Sequence, residues 1–317
     1  MNMRCVMGVL FVLGGCLATA AAWAEGKQDP PAKRSGRLKY PPQMPGAERH
    51  VYKKAGDTEL VLYLFRPEKQ ALTDPRPAIV FFFGGGWRSG SPQQFEHQCR
   101  YMASRGMIAI TADYRVSSRH RTKVTACVAD GRSALRWVRA NAKRLGVDPD
   151  RIAAGGGSAG GHVAACTALV GRFDEPGEDR SVRAEPDALV LFNPAAALAP
   201  FKGQAPLEAD RMAELAQRLG AKPMELSPAH QVRSGAPPTI MFFGTEDRLL
   251  AGAQYFATQM KAVGSRCDLR TWEGLGHGFF NHGRHGNRPF VGTVRAMDQF
   301  LVSLGYLKGT ATLGPAQ

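Results

Sequence analysis

The sequence predicts a doubly wound α/β fold with a mostly parallel sheet, and three observations support this class. The chain has 317 residues, of which 44% are apolar, so it can bury a core of ordinary size. Short, fully apolar segments such as AIVFFF at residues 78–83 are typical of strands that are covered on both faces of a parallel sheet. Helical segments of about 10 to 20 residues separate these strands, as they do in doubly wound folds.

Glycine and proline set most of the element boundaries. Pro67 ends the first predicted strand, Pro92 begins the first predicted helix, and Gly106 ends that helix. Strands are expected over short apolar runs, at residues 59–65, 78–83, 107–112, 151–154, 188–192, 239–243 and 267–272. Helices are expected between them, at residues 92–105, 123–144, 162–170, 207–219, 251–263 and 291–304.

The first 24 residues have the layout of a secretory signal peptide. Arg4 precedes an apolar run over residues 6–22, and Ala-Trp-Ala at 22–24 is an A-x-A cleavage pattern. The run is marginal in length for a membrane anchor. The segment Leu-Gly-Gly-Cys that ends at Cys16 also resembles a bacterial lipobox, in which Cys16 would be lipidated. Soluble export is favoured, and both interpretations predict a protein outside the cytoplasm.

The rest of the chain is expected to form one catalytic domain. Residues 25–47 are rich in proline, lysine and glycine and are predicted to be a disordered leader; the domain spans 48–308, and 309–317 form a flexible tail. The predicted mature chain keeps four cysteines, for which disulfides and buried free thiols both remain open: Cys99, Cys127, Cys166 and Cys267. No cysteine or histidine cluster suggests a metal, and no cofactor is expected.

The charge does not indicate a nucleic-acid partner. Lys and Arg number 41 against 27 Asp and Glu, which gives a net charge of +14. These basic residues are scattered and do not alternate with aromatic residues in a dense block, so the charge is interpreted as a surface bias that attracts anionic partners. The only long apolar run is at the N-terminus, which excludes a protein with several membrane spans.

A candidate nucleophile lies in the segment Gly156-Gly157-Ser158-Ala159-Gly160. The segment matches the G-x-S-x-G pattern and falls where a predicted strand ends and a predicted helix begins. Glycines on both sides of Ser158 allow the tight turn that exposes its hydroxyl at the N-terminus of that helix. This context distinguishes it from a structural glycine–serine loop.

A second glycine-rich segment, Gly84-Gly85-Gly86-Trp87, directly follows an apolar strand. A tetrahedral intermediate of acyl transfer needs backbone N–H donors that point at its oxyanion, and glycines let the backbone come close to it. We therefore expect the amides of Gly85, Gly86 and Ala159 to form an oxyanion hole.

An acid and a base follow two later strands. A serine hydroxyl needs an imidazole to accept its proton, and the imidazole needs a carboxylate to fix its tautomer. Asp247 follows the strand at 239–243, and His277 follows the last strand. The chain order Ser158, Asp247, His277, with each residue at the C-terminal end of a strand, is that of the α/β-hydrolases.

Other residues compete for these roles. Glu246 is the rival carboxylate, but the spacing after the strand favours Asp247. His282 and His285 lie in a loop rich in glycine, asparagine and arginine and are expected to face solvent. His162 lies four residues after the nucleophile and is expected to pack or hydrogen-bond behind it.

Several motifs together resemble one known family, the hormone-sensitive-lipase-like esterases of the α/β-hydrolase superfamily, and also secreted bacterial acetyl and feruloyl esterases. The motifs cover about residues 50–305 and read VFFFGGGWRSGS, ITADYRVSS, GVDPDRIAAGGGSAGGHVA, LSPAHQVRSGAPPTIMFFGTEDRLL and GLGHGFFN. The resemblance implies an α/β-hydrolase fold and a cofactor-independent carboxylic-ester hydrolase that uses Ser158, His277 and Asp247.

The chain departs from the family at two positions. The family usually has a histidine before the triple glycine, and Phe83 stands there, so the loop is expected to be held by packing. The residue before the nucleophile is often acidic in this family and is Gly157 here, so the support around the nucleophile differs.

The substrate is expected to be a short acyl ester of a bulky alcohol such as a plant polysaccharide, because only the insert at about 194–238 could form a lid. This predicts a small or absent cap and an open site. Two alternatives remain: a serine peptidase, which usually carries a large additional domain, and a non-enzymatic protein, which usually lacks a member of the triad. No large additional domain is predicted from this sequence, and candidates for all three members of the triad are present.

Overall fold

The computed structural model describes residues 40–67, 74–203 and 208–313. An eight-stranded sheet runs through them in the order β1-β2-β4-β3-β5-β6-β7-β8. The strands are Glu48–Ala55 (β1), Thr58–Phe65 (β2), Arg76–Phe82 (β3), Ile108–Ala112 (β4), Val147–Gly157 (β5), Ala188–Phe192 (β6), Thr239–Gly244 (β7) and Cys267–Trp272 (β8). β2 pairs antiparallel with both β1 and β4, and all other pairs are parallel.

Helices connect the parallel strands. They are Glu96–Ser104 (α1), Ser117–His120 (α2), Val124–Ala140 (α3), Ala142–Leu145 (α4), Ala159–Leu169 (α5), Ala209–Leu219 (α6), Leu250–Ala262 (α7) and Arg288–Ser303 (α8). Short 3₁₀ turns lie at Pro92–Phe95, Pro223–Leu226, Pro228–His230 and His285–Asn287.

The sheet is covered on both faces, as the fully apolar strands predict. Successive side chains of a strand point to opposite faces. Phe82 and Leu191 belong to the apolar cluster that α3, α5 and α7 cover, whereas Phe81 and Phe192 belong to the cluster under α1 and α8. The predicted fold class, a doubly wound and mostly parallel sheet, is therefore confirmed.

The predicted elements differ from the structure mainly in their boundaries. The helix expected over 123–144 is interrupted at Asn141, whose φ of −100° and ψ of 12° are not helical. The helix expected from Pro92 begins instead as a 3₁₀ turn. Strand β1 was not predicted, because its sequence ERHVYKKA contains no apolar run; it lies at the edge of the sheet and faces solvent over much of its length.

The described ends of the domain are packed more closely than the sequence predicts. Met44, assigned to the disordered leader, is buried, and the hydroxyl of Tyr63 donates to the carbonyl oxygen of Pro42 at 2.6 Å. At the other end the amide of Thr312, in the predicted flexible tail, donates to the hydroxyl oxygen of Tyr101. The predicted signal peptide, the alternative lipidation at Cys16 and leader residues 25–39 lie outside the described residues.

The four cysteines are free thiols in this structure. Three are buried and Cys267 is partly buried. Burial raises the pKa of the Cys267 thiol to about 12, so it stays protonated at neutral pH. Among the described residues no group of histidine, cysteine and carboxylate side chains could hold a metal ion, and no helix in the same ranges is long and apolar enough to cross a membrane.

Candidate active site

The turn that carries Ser158 is strained in the way its sequence predicts. Ser158 lies between β5 and α5 with a φ of 51° and a ψ of −115°, a backbone conformation that non-glycine residues rarely adopt. Its carbonyl oxygen accepts from the amides of His162 and Ala195, which hold the turn in this conformation. At Gly160 a Cβ atom would overlap the carbonyl oxygen of Phe82, so only glycine lets the helix come this close to β3.

The three residues predicted to act together are joined by hydrogen bonds. Nε2 of His277 lies 2.9 Å from Oγ of Ser158, and its Nδ1 lies 2.7 Å from Oδ2 of Asp247. A carboxylate accepts hydrogen bonds, so Nδ1 of His277 carries the proton and Nε2 is left to accept from the serine hydroxyl. Asp247 is buried, and its Oδ1 accepts from the amide of Leu249 at 2.9 Å, whereas Glu246 is exposed.

The rival histidines lie elsewhere. His282 and His285 are exposed, as expected. His162 is fully buried; its Nδ1 accepts from the indole of Trp87 at 3.2 Å, and its Nε2–H donates to the carbonyl oxygen of Leu226 at 2.7 Å. Burial lowers the pKa of His162 to about 4, so it is neutral at pH 7. It packs behind the nucleophile and links three segments there.

The glycine loop, residues 84–86, lies beside the nucleophile. A Cβ atom at Gly84 would stand 3.4 Å from that of Ser158. Gly85 has a φ of 127° and Gly86 a φ of 63°, and a Cβ at Gly85 would overlap the carbonyl oxygen of Ser89. Within the described ranges, the amides of Gly85, Gly86 and Ala159 have no hydrogen-bond acceptor. These donors are therefore available to an oxyanion.

Packing alone does not hold this loop, which corrects the expectation based on Phe83. The buried ring of Phe83 does stack on Tyr114, with ring centroids 4.2 Å apart. In addition, the hydroxyl of Tyr114 donates to the carbonyl oxygen of Phe83 at 2.6 Å, and the amide of Gly84 donates to Oε1 of Gln94 at 2.6 Å. Hydrogen bonds from other segments therefore fix the loop on both sides.

The space beside Gly157 is filled by an aromatic ring. A Cβ atom at Gly157 would lie 2.6 Å from Cζ of Phe280, which is itself buried. An acidic residue, common at this position in the family, has no room here. The ring of Phe280 packs on Phe192 at the end of β6 and thereby supports the turn from the other side.

Within the described residues, the base of the candidate site is accessible to solvent, as an open site requires. The side chain of His277 is 40% exposed. In the insert, helix α6 brings Arg218 to the glycine loop, where its guanidinium donates to the carbonyl oxygen of Gly86 at 2.5 Å and lies 5.4 Å from the ring centroid of Trp87. This contact was not predicted, because an arginine on an amphipathic helix carries no signal of its partner.

Asn193 was also missed. It follows β6 and is fully buried, its Oδ1 accepts from the amide of Gly278, and its Nδ2 lies 3.4 Å from Nε2 of His277. A polar residue directly after a buried strand is a signal that could have identified it, since the carboxyl ends of parallel strands form the site in such folds.

Similarity to known proteins agrees with this geometry. A family model described as the alpha/beta hydrolase fold matches residues 79–281. The thermophilic esterase Est2 of Thermogutta terrifontis is 50% identical, with a TM-score of 0.81, over 86% of this chain and 97% of that chain. Its butyrate-bound structure has a TM-score of 0.82, also at 50% identity, over 86% of this chain and 100% of that one.

Two curated relatives are more distant than Est2. Esterase LipC of Mycobacterium tuberculosis is 28% identical over 82% of this chain, and carboxylesterase NlhH of the same organism is 33% identical over 44% of it. The chain covers 66% of the length of LipC and 44% of that of NlhH. The fold, the match to the family model and these similarities agree, and the chain belongs to the α/β-hydrolase fold family, within its hormone-sensitive-lipase-like, carboxylesterase-type branch.

Proposed function

We propose that this chain is a serine carboxylic-ester hydrolase that acts on short-chain acyl esters. One observation carries the proposal: the hydrogen-bonded series from Ser158 through His277 to Asp247, which opens to solvent beside three unpaired amides. A hydroxyl, an imidazole nitrogen that accepts from it and a buried carboxylate in this order are the parts that acyl transfer through a serine requires.

The reaction follows from these positions in two steps. His277, held in the correct tautomer by Asp247, takes the proton of the Ser158 hydroxyl while Oγ of Ser158 attacks the ester carbonyl carbon. The carbonyl oxygen becomes an oxyanion, which the amides of Gly85, Gly86 and Ala159 stabilise. His277 then gives the proton to the departing alcohol, and a water molecule repeats the sequence on the acyl-enzyme, which releases the acid and restores the serine.

The open site supports small acyl groups attached to a large alcohol. A partly exposed His277 leaves room for a bulky leaving group, and the described part of the insert contributes a single helix of ordinary length, α6. Est2 of Thermogutta terrifontis has been solved with butyrate and with propionate, both short acids. We extend the proposal to acetyl or feruloyl esters of polysaccharides, which the positive net charge of the chain would attract where they carry acid groups.

Hydrolysis of p-nitrophenyl esters with two to sixteen acyl carbons tests the proposal. We expect turnover of the short esters that is lost in Ser158→Ala. Ser265→Ala, at a partly exposed serine 107 positions after Ser158, should keep the activity. Paraoxon, which phosphorylates Est2 of Thermogutta terrifontis, should release one p-nitrophenol per active site and count the active molecules. Activity that survives in Ser158→Ala would refute the assignment, and a preference for the longest esters would refute the substrate class.

The same assay separates the alternatives. Cleavage of p-nitroanilide peptides faster than of p-nitrophenyl acetate would favour the peptidase. If the short esters are hydrolysed, acetylated xylan and feruloylated arabinoxylan are the next substrates, and release of acetate or ferulate from them is expected.

Export is the second part of the proposal, and it concerns residues 1–24. We propose that this segment directs the chain out of the cytoplasm and is cleaved after Ala24, with lipidation at Cys16 as the alternative. N-terminal sequencing of the protein expressed in a bacterial host tests it. Glu25 as the first residue supports soluble export, a blocked N-terminus at Cys16 in the membrane fraction supports the anchored form, and Met1 on a cytoplasmic protein refutes both.

A further inference from the structure

A series of hydrogen bonds joins the glycine loop to the loop that carries His277. The amide of Gly84 donates to Oε1 of Gln94 at 2.6 Å, and Nε2 of Gln94 donates to Oδ1 of Asn281 at 2.9 Å. Nδ2 of Asn281 then donates to the carbonyl oxygen of Gly278 at 2.8 Å, next to His277. Two carboxamides therefore span the distance between the candidate oxyanion hole and the candidate base.

The direction of these hydrogen bonds is unique. The Gly84 amide is a donor, so the oxygen of Gln94 must face it and its NH₂ group must face Asn281. Asn281 then turns its own oxygen toward Gln94 and its NH₂ toward the carbonyl of Gly278. Only side chains with one donor and one acceptor end can connect a backbone N–H to a backbone C=O in this way, so neither a carboxylate nor an apolar side chain can replace them.

The side chains of Gln94 and Asn281 form a bridge between the two loops, and this bridge is firmly anchored at the Gln94 end. Gln94 lies on the 3₁₀ turn Pro92–Phe95, and Oγ of Ser91 caps that turn by accepting from the amide of Gln93. Phe95 is fully buried at the end of the turn, with its ring stacked 4.7 Å from that of Phe81. The turn cannot shift without disturbing the core, so Gln94 is a fixed support.

A second branch anchors the other end. The amide of Gly278 donates to Oδ1 of Asn193 at 3.1 Å, and the amide of Asn193 donates to the carbonyl oxygen of Phe242 in β7. Gly278 therefore bonds to Asn193 through its amide and to Asn281 through its carbonyl. The position of His277 is set by the end of the sheet and by the glycine loop together.

We infer that Gln94 and Asn281 are positioning residues, which hold the glycine loop and the His277 loop at the separation that acyl transfer needs. The inference rests on the proposed function. In the transition state the oxyanion donors bind the carbonyl oxygen, while His277 takes the proton of the serine oxygen that attacks the same carbonyl carbon. A shift of about 1 Å between these groups can lower the rate by about 100-fold. The bridge also supplies a hydrogen bond that holds the glycine loop, where Phe83 replaces the histidine that is usual in the family.

The test is a double-mutant cycle with p-nitrophenyl butyrate, with active sites counted by paraoxon. Gln94→Met and Asn281→Leu should each lower kcat by about 10- to 100-fold with KM changed less than about threefold, because geometry rather than substrate binding is lost. The double variant should lose no more than the worse single one, since the bridge is broken only once. Gln93→Met is the matched control, on the same turn, and should keep full activity.

A second variant covers a failure of Gln94→Met to fold. Gln94→Glu keeps the size and the acceptor for Gly84 but has no donor for Asn281, so kcat should still fall by about 10-fold or more. Unchanged kcat in the single variants, or losses that multiply in the double variant, would overturn the bridge while the wild-type enzyme stays active. An inactive wild type that does not react with paraoxon would overturn the proposed function and the bridge with it.

Discussion

His162 should make the stability of this protein sensitive to mild acid. Burial lowers its pKa from the ordinary value of 6.5 to about 4. The unfolded chain therefore binds a proton below pH 6.5, whereas the folded chain binds it only near pH 4. The contribution of neutral His162 to the free energy of unfolding is fully present above pH 6.5 and is lost as the pH falls toward 4. Between pH 8 and pH 5 these two pKa values correspond to a loss of about 2 kcal/mol in the free energy of unfolding.

Replacement of His162 by a group that does not titrate isolates this effect. A glutamine carboxamide keeps one acceptor for the indole of Trp87 and one donor for the carbonyl of Leu226. Urea unfolding followed by tryptophan fluorescence at pH 8, 7, 6 and 5 would give the free energy for the wild type and for His162→Gln. The wild type should lose about 2 kcal/mol more than the variant over this range.

Other titrating histidines do not affect the difference in stability between the wild type and His162→Gln. His97 and His120, whose pKa values are also lowered chiefly by burial, remain in both proteins and cancel in the difference. His162→Leu is a second non-titrating variant. It leaves the indole N–H of Trp87 unpaired and leaves the carbonyl oxygen of Leu226 with only the long contact from the Cys166 thiol, so it should be less stable than His162→Gln at pH 8 by about 1–3 kcal/mol. If the wild type and His162→Gln lose stability in parallel from pH 8 to pH 5, the burial argument is wrong.

Two other substitutions have matched controls on the neighbouring residue. Asp247→Asn should lower kcat by about 1,000- to 10,000-fold through loss of the correct tautomer, whereas Glu246→Gln, which is exposed, should keep wild-type kinetics with p-nitrophenyl acetate. Lys53→Met should destabilise the fold by about 1–3 kcal/mol in urea unfolding, because the buried Asp130 loses a partner 2.7 Å away and keeps only Arg115. Lys54→Met, at a side chain that is 72% exposed, should stay within about 0.5 kcal/mol, and equal losses at 53 and 54 would contradict this.

Much of the fold could be predicted because its signals are local. A run such as ALVLF at Ala188–Phe192 must be covered on both faces, and that alone favours a central parallel strand. The candidate nucleophile, acid and base could also be identified, since each follows a strand and their order is specific. An edge strand such as β1 gives no such signal, because its exposed face tolerates charged residues.

The supports of the site could not be predicted for a different physical reason. Gln93 and Gln94 are neighbours of the same type, and nothing in the sequence distinguishes them. Only the fold brings the side chain of Gln94 within hydrogen-bond distance of Asn281, which is 187 positions away. Positioning through side-chain hydrogen bonds depends on distances between segments, which the local pattern of residues does not contain.

Position 157 shows how one such distance determines which residue is allowed. Gly157→Asp would bring a Cβ atom to 2.6 Å from the ring of Phe280 and bury a carboxylate, so we expect a loss of about 1–3 kcal/mol from overpacking alone in urea unfolding. Phe280→Ala opens the space and is itself destabilising, but the two changes should compensate by about 1 kcal/mol or more in the double variant.

Phe279→Ala is the control for that compensation. Phe279 is equally buried, but its ring is not among the atoms nearest to a Cβ at position 157, so its effect should add to that of Gly157→Asp. Compensation with Phe280 alone would mean that Gly157 and the ring of Phe280 depend on each other, because the ring fills the space that a side chain at 157 would need. The ring would then support the turn at the nucleophile in place of the acidic side chain that is common in the family. Additive losses with both phenylalanines would mean that the absence of an acidic residue has another cause than lack of space.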